Sequence, residues 1–307
     1  KQTPLDRVTG IIYRNQDGAP HFTGPRARIR NVDDIPSPAW DLVPLDTYLD
    51  QGLGYGVNLG RSMAVIATRG CPYQCTFCSN PQMWTTRWVA RNPAKVLDEI
   101  ESYMHEHNAS NFDFYDLTAI VKRQWVVDFC NLIIERGLKF TWQLPSGTRS
   151  EAIDEEVTRL LYQSGCRNMS YAPESGSPEV LKRIKKKVRL DKMEDSMRAA
   201  IRNGLNLKLN IIMGFPEEKR SEAWQTIRFL AKMGFIGVHD ASVSMFSPYP
   251  GSELYDDLRA QGHIPDLTDE YFLSLGSYKD FSQTVSFSYG MSTRELTLYR
   301  ILGMLVF

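Results

Sequence analysis

From residue 61 onward, strand-like and helix-like segments alternate along the chain, and this alternation constrains the fold more than any other feature. Six apolar runs with strand character begin with "MAVIAT" and end with "ASVSMFSP", and a helical pattern follows each one. Six such units joined by right-handed crossovers predict one parallel sheet covered by helices. Six units are too few for the complete eightfold barrel, which leaves an open doubly wound sheet or a partial barrel. In both folds, ligands bind at the carboxyl ends of the strands.

The helical patterns carry start and stop signals. Pro93 and Pro178 directly follow Asn92 and Ser177, and both pairs predict the start of a helix. Four glycines are expected just past helix ends as C-terminal caps. These glycines are Gly137, Gly165, Gly204 and Gly234. The predicted helices cover residues 93–107, 122–136, 154–164, 178–203, 221–233 and 252–261.

Composition divides the chain into three parts. Residues 1–60 are rich in Pro, Gly and Asp, which predicts an extended linker with a short strand at "GIIYR". Residues 61–262 contain the repeated units, and residues 263–307 return to irregular sequence followed by one helix. The chain opens on Lys1 and ends inside an apolar helical pattern, so we expect it to be part of a longer protein.

The charge and the cysteine content exclude several classes of protein. The 36 Lys and Arg residues balance 36 Asp and Glu residues, so no overall charge favours nucleic acid or an anionic membrane. The apolar stretches are far too short to span a bilayer. Secreted disulfide-rich proteins usually contain an even number of cysteines that pair with one another, whereas this chain has five cysteines, three of them clustered. We therefore expect a cytoplasmic protein.

Three of these cysteines, Cys71, Cys75 and Cys78, lie in the loop that leaves the first predicted strand. A zinc site or a ferredoxin-type cluster needs a fourth ligand, and none lies nearby in the sequence. On a four-iron cluster, three thiolates leave one iron open for a bidentate amino-carboxylate. Cys130 and Cys166 fall within or just after helices and are expected to be core residues.

The spacing Cys-x3-Cys-x2-Cys, with Phe77 before the last cysteine, resembles the signature of radical S-adenosylmethionine (SAM) enzymes. Further motifs extend this resemblance over roughly residues 1–300. They are "FYDLTAI", "PSGTRSEAIDEE", "APESGSPEVLKRIKKKV", "IIMGFPEE" and "FSPYPGSELYDDLRAQG". Their order is similar to that in the branch which couples a cobalamin-binding domain to the radical domain. That branch includes cobalamin-dependent methylases and the anaerobic magnesium-protoporphyrin monomethyl ester cyclase. The run "IPSPAWDLVPLDTY" resembles the connector that follows the cobalamin domain.

The resemblance implies a partial (β/α)6 barrel, similar to a TIM barrel, with an N-terminal linker and a C-terminal helical extension. It implies a [4Fe–4S] cluster on the three cysteines, with SAM on the open iron. One electron from an external flavodoxin or ferredoxin then cleaves SAM to a 5′-deoxyadenosyl radical, which abstracts hydrogen. Cobalamin is expected mainly on a domain outside this chain. The expected substrate is a small molecule, a lipid or a tetrapyrrole.

Five further residues outside the three ligands are expected around SAM. Phe77 is expected to contact the adenine, although packing at the barrel mouth explains it equally well. Asp116 is expected to meet the methionine amino group, with a helix N-cap as the alternative. Arg149 could pair with the methionine carboxylate or with a neighbouring acid. Glu174 is expected to accept from the ribose hydroxyls. Periodicity places Asn210 inside the barrel beside the cofactor.

Several functions remain open at this point. The first is cobalamin-dependent methylation of an unactivated carbon, and the second is an oxidative cyclase of the anaerobic porphyrin ring type. A methylthiotransferase acting on transfer RNA would ordinarily carry extra upstream cysteines, which residues 1–60 lack. A non-catalytic iron–sulfur or zinc-binding module is the alternative from another class. The basic run at residues 182–189 is more typical of a solvated helix end than of a nucleic-acid site.

Overall fold

The main sheet has six parallel strands. A computed structural model describes residues 3–148, 152–276 and 285–307 of the chain. The strands are β1 (Ser62–Val65), β2 (Asn111–Phe114), β3 (Thr141–Thr148), β4 (Cys166–Glu174), β5 (Asn206–Met213) and β6 (Asp240–Met245). Each strand pairs with the next one along the chain, from β1 at one edge to β6 at the other.

This strand order decides between the two folds that the sequence allowed. A doubly wound sheet reverses its strand order at a switch point in the middle of the sheet. Here the spatial order equals the sequence order throughout, so no switch point exists among the six strands. The predicted partial (β/α)6 barrel is therefore confirmed, and the doubly wound alternative is wrong.

Helices follow the strands as the periodicity predicts, apart from a few differences at their ends and one predicted helix that is broken in two. The helices are α1 (Leu45–Asp50), α2 (Asn80–Trp84), α3 (Pro93–His107), α4 (Arg123–Glu135), α5 (Glu155–Gln163), α6 (Pro178–Arg183), α7 (Leu190–Arg202), α8 (Arg220–Phe235), α9 (Glu253–Ala260), α10 (Asp269–Ser274) and α11 (Thr293–Val306). At α3, Asn92 accepts a hydrogen bond from the N–H of Ala94, as its predicted capping position requires. The short helix α10, capped by Thr268, was not predicted, because six residues give too little periodicity.

The predicted single helix over residues 178–203 is wrong, because the chain breaks into α6 and α7. Lys185 adopts a left-handed conformation with φ of 53°. Its N–H donates to the carbonyl of Lys182, and the N–H of Lys186 donates to that of Leu181. These two bonds form the Schellman motif that ends many helices. The sequence concealed this end because Lys stands where glycine is usual.

A second correction concerns Gly234, which was expected to end α8. The helix continues to Phe235, and Gly237 takes the left-handed position instead, with φ of 94°. At Gly234 a Cβ atom would lie 2.1 Å from the backbone oxygen of Phe307. Close packing of helix α11 therefore explains this glycine better than a cap does. The other three predicted caps, Gly137, Gly165 and Gly204, do have positive φ.

The core lies between the sheet and its helices. Trp142 on β3 is buried against Phe114 and Phe129, with ring centroids 5.2 Å and 5.5 Å apart. Its indole N–H donates to the carbonyl of Ser164, so the polar atom of this large side chain is paired. Cys130 and Cys166 are fully buried. The prediction that these two cysteines are core residues is confirmed.

The N-terminal part, Lys1–Ser37, is a separate compact unit. Its strand Ile12–Arg14 coincides with the predicted strand at "GIIYR" and pairs with Pro20–Phe22 in an antiparallel hairpin. The remainder, Pro38–Phe307, forms the second unit and contains the whole six-stranded sheet.

Within this second unit, the segment that precedes β1 lies against the inner face of the sheet. Gln143 holds both backbone groups of Val57: its Oε1 accepts from the N–H at 3.0 Å, and its Nε2 donates to the carbonyl at 2.8 Å. The carboxylate of Asp113 accepts from the N–H of Gly56 and from Nε2 of Gln143. A Cβ at Gly56 would lie 2.4 Å from the Gln143 amide carbon, so any larger residue would push this amide out of its hydrogen bonds to Val57.

Among the described residues, every helix is too short or too polar to cross a membrane.

Candidate active site

The three clustered cysteines lie beyond the carboxyl end of β1. Between them and the strand, Thr68–Arg69 pairs with Val89–Ala90 in a short antiparallel ladder. Gly70 then turns the chain with φ of 78°, and a Cβ there would lie 2.2 Å from the carbonyl oxygen of Arg87. Glycine is therefore required directly before Cys71, because no other residue fits this approach.

Backbone hydrogen bonds hold the loop of residues 71–78, called here the cysteine loop. The N–H of Cys78 donates to the carbonyl of Cys75, which closes a tight turn. The backbone of Thr76 is bound on both sides, because its N–H donates to the carbonyl of Ile184 and its carbonyl accepts from the N–H of Leu254. The thiols thus lie on a fixed backbone.

The three cysteines of this loop carry half-buried thiols that are not joined in disulfides. Burial raises the pKa of Cys75 to about 11, Lys186 opposes this rise, and the nearby Cys78 and Cys71 add to it. The thiols of Cys78 and Cys71 therefore lie close enough to Cys75 to act on it electrostatically. Within residues 3–148, 152–276 and 285–307, no group of three or more His, Cys, Asp or Glu side chains is arranged to hold a single metal ion.

Asp116 forms hydrogen bonds with the residues that lead into the cysteine loop. Its two carboxyl oxygens accept from the N–H of Ala67 at 3.2 Å and from the hydroxyl of Thr68. Burial raises the pKa of this carboxyl to about 6, and these hydrogen bonds oppose the rise. The N-cap alternative is wrong, because Lys122 occupies the N-cap position of the following helix, α4. Contact of Asp116 with a methionine amino group stays a prediction.

Phe77, Glu174 and Asn210 line one cavity of about 310 Å³. Phe77 also packs on Phe215 with ring centroids 5.8 Å apart, as the packing alternative predicts, and its contact with an adenine stays a prediction. The remaining residues around the cavity come from strands β5 and β6, from the loop after β6 and from the segment before β1. They are Tyr55, Ile211, Ile212, Ser242, Ser244, Met245, Phe246, Ser247 and Tyr249. The cysteine loop and the carboxyl ends of three strands thus meet at one cavity.

Glu174 ends β4 in an unusual backbone conformation. Its φ is 71°, a left-handed value that is rare for a residue other than glycine, and a register shift separates it from Tyr171. The carboxylate is only 9% exposed, and the ammonium of Lys186 lies 2.8 Å from it. Such strain typically costs about 1–3 kcal/mol and is concentrated at functional sites.

Two sequence predictions concern charged residues nearby. Arg149 lies outside the described residues, so its pairing with a methionine carboxylate stays a prediction. Most basic side chains of the run at residues 182–189 form ion pairs with acidic side chains. The pairs are Arg183 with Glu222, Lys185 with Glu253, Lys186 with Glu174 and Arg189 with Asp191. Much of the positive charge of this run is therefore neutralised within the chain.

Comparison with known proteins decides the family. Residues 65–230, more than half of the chain, match the Radical SAM superfamily. The chain belongs to this superfamily. The predicted resemblance is confirmed, and the protein is accordingly an enzyme of this class, in which a [4Fe–4S] cluster and SAM are the working cofactors.

Two curated relatives and one solved structure place this radical SAM chain among its neighbours. An uncharacterized methyltransferase of Pyrococcus horikoshii is 30% identical over 83% of this chain and 53% of its own length. The anaerobic magnesium-protoporphyrin IX monomethyl ester cyclase of Cereibacter sphaeroides is 28% identical over 87% of this chain and 42% of its own length. The chain thus spans about half the length of these relatives. The structure of the cobalamin-dependent SAM radical enzyme OxsB covers 84% of this chain and 42% of its own, with a TM-score of 0.67 and 17% identity.

The cavity of this radical SAM chain is also lined by residues that sequence reasoning missed. Ser242 and Ser244 line the cavity, and Ser242 pairs in register with the predicted Asn210. Their alternate spacing on β6 was a usable signal, because residues i and i+2 share one face of a strand. Tyr55 also lines the cavity, from the segment before the sheet. No local pattern in the sequence indicates that this segment returns to the inner face of the barrel.

The turn after β5 of the radical SAM fold contains a buried carboxyl group. One oxygen of Glu218 accepts from the N–H groups of Gly214 and Phe215, and the other has no hydrogen-bond partner among the described residues. Burial raises the pKa of this carboxyl to about 7, although both backbone bonds oppose the rise. The folded protein therefore binds a proton here, at pH values where the unfolded chain releases it.

Because of Glu218, we expect the stability of the iron-free protein to decrease as the pH rises from 4.5 to 7. In this window the folded state holds the proton and the unfolded state does not, so the free energy of unfolding decreases with pH by up to roughly 3 kcal/mol. Urea unfolding of Glu218→Gln should show a flatter pH dependence than the wild type. Glu217→Gln, at the exposed neighbouring carboxyl, is the matched control and should follow the wild type.

Proposed function

We propose that Cys71, Cys75 and Cys78 hold the [4Fe–4S] cluster of this radical SAM enzyme. One observation carries the proposal: the cysteine loop and Glu174 border the same cavity, because Phe77, between two of the cysteines, lines it together with that carboxylate. Three half-buried thiols suit a cluster that keeps one iron open. When bound, cluster and SAM together supply a 5′-deoxyadenosyl radical that abstracts hydrogen from the substrate.

The residues of the chain bind and orient the cofactor in this proposal. Glu174 accepts hydrogen bonds from a pair of neighbouring hydroxyl groups, for which a buried carboxylate is a strong acceptor. Asn210 and Ser242 offer further donors and acceptors along the same wall. Phe77 and Phe246 supply apolar surface that excludes water from the cavity. Contacts of Asp116 and Arg149 with the methionine part of SAM belong to the same proposal.

The reaction that we propose is cobalamin-dependent methylation of an unactivated carbon in a small molecule. The Pyrococcus relative is named a methyltransferase, and the OxsB structure is that of a cobalamin-dependent enzyme. An external one-electron donor such as flavodoxin or ferredoxin reduces the cluster. Oxidative cyclisation is the second candidate, because the sequence of the Cereibacter cyclase is similar to this one over 87% of this chain.

Label transfer distinguishes these two reactions. The purified enzyme is incubated anaerobically with dithionite, hydroxocobalamin and SAM that carries a trideuterated methyl group. Methylation predicts labelled methylcobalamin and 5′-deoxyadenosine, and a substrate gains one labelled methyl group. A cyclase instead converts magnesium-protoporphyrin monomethyl ester to a product that has lost hydrogen or gained oxygen, with no label. Formation of that product without labelled methylcobalamin contradicts the methylation proposal.

A further inference from the structure

Lys186 lies where the cysteine loop and the cavity carboxylate meet. Its ammonium nitrogen is 2.8 Å from Oε1 of Glu174 and 5.9 Å from the centroid of the Phe77 ring. The lysine side chain is 13% exposed and the glutamate side chain 9%. The positive charge is therefore mostly removed from water, where its field on neighbouring groups is screened weakly.

The backbone fixes this position. Lys186 directly follows Lys185, whose left-handed conformation ends α6, and its own N–H donates to the carbonyl of Leu181. Two residues before Lys186, the carbonyl of Ile184 accepts a hydrogen bond from the N–H of Thr76 in the cysteine loop at 3.0 Å. The loop that carries the lysine and the loop that carries the cysteines are thus joined directly.

We propose that Lys186 is a positioning residue of the cofactor site: it holds Glu174 toward the cavity and keeps a positive charge beside the cysteine loop, which makes the cluster easier to reduce. The inference rests on the proposed function of the three cysteines. The electron comes from an external one-electron donor, which is oxidised as [4Fe–4S]²⁺ becomes [4Fe–4S]⁺. No bond forms or breaks in this step.

The physical reason is the change of charge on reduction. A cluster with three thiolate ligands gains one negative charge when it accepts the electron. A fixed positive charge nearby stabilises this reduced state more than the oxidised one, so the reduction potential is higher. The carboxylate of Glu174 lowers the reduction potential, because its negative charge repels the electron that the cluster accepts.

The test is a redox titration of the anaerobically reconstituted cluster, in which electron paramagnetic resonance measures the reduced cluster at each potential. Lys186→Met is expected to lower the ratio of reduced to oxidised cluster at a fixed potential about tenfold, which corresponds to ~59 mV for a one-electron couple. Lys186→Arg keeps the charge and should restore most of that ratio. Glu174→Gln should shift the ratio in the opposite direction, which a purely structural disturbance would not do.

Lys185→Met is the matched control, because it removes an equal charge from the adjacent residue. Lys185 pairs with Glu253 at the surface, and both side chains are half exposed. This variant should leave the redox titration unchanged. It should also leave the urea midpoint of the iron-free protein unchanged, whereas Lys186→Met should lower that midpoint by leaving Glu174 buried without its partner.

Two kinds of failure are distinguishable. A wild-type protein that takes up no cluster contradicts the proposed function and this inference with it. A wild-type protein that takes up the cluster, while Lys186→Met titrates like the wild type or no differently from Lys185→Met, contradicts the inference alone.

Discussion

Replacing Cys75 by Ala is expected to remove the cluster and with it all cleavage of SAM. Two thiolates cannot satisfy a cluster that already lacks a fourth protein ligand, so iron should fall from about four atoms per chain to well below one. Iron and sulfide analysis after anaerobic reconstitution measures the loss, and 5′-deoxyadenosine formation under dithionite should fall to background. Cys71→Ala and Cys78→Ala should behave alike.

Cys130→Ala is the control for this experiment. Cys130 is fully buried in α4, and burial raises the pKa of its thiol to about 12, so it does not act as a thiolate. The variant loses some core packing but should take up iron like the wild type. If Cys75→Ala retains a full cluster, the three cysteines are not its ligands.

Glu174→Gln is expected to weaken SAM binding about 10- to 100-fold. A hydrogen bond to a charged group contributes about 1.5–3 kcal/mol, and the amide keeps the shape of the side chain but removes its charge. The dissociation constant is measured by anaerobic calorimetry on the oxidised cluster, so that no turnover occurs.

Glu179→Gln is the matched control, since Glu179 is an exposed carboxylate on α6. Equal affinities of the wild type and both variants would show that Glu174 does not contact the cofactor. Its strained backbone and its ion pair with Lys186 would then need another explanation.

Much of the fold was predictable because strand and helix periodicity are local properties of a sequence. The six units and the bounds of α3 follow from them directly. The break after α6 was missed because Lys185 takes a left-handed conformation that local patterns assign to glycine. The inward course of Gly56 and Val57 was missed for a different reason. It depends on Gln143, more than eighty residues away in the sequence.

The site was predictable where the chemistry lies within one short stretch. The spacing of the cysteines indicated a metal cluster without any structure. The bonds of Asp116 to Ala67 and Thr68 could not be predicted, because they join two strand ends. Lys186 was predicted to be solvated with the rest of its basic run, since no sequence pattern distinguishes it from Lys185. Only the Schellman turn separates them, because it directs Lys185 to Glu253 at the surface and Lys186 inward to Glu174.

The central claim is that the three-cysteine loop holds a cluster with an iron open to SAM. The most direct test is electron paramagnetic resonance of the anaerobically reconstituted and reduced wild-type protein, with and without SAM. We predict a reduced [4Fe–4S] signal whose g-values change when SAM is added, because the cofactor binds an iron of the cluster. A protein that takes up stoichiometric zinc and no iron, or a cluster signal that SAM leaves unchanged, would contradict the claim.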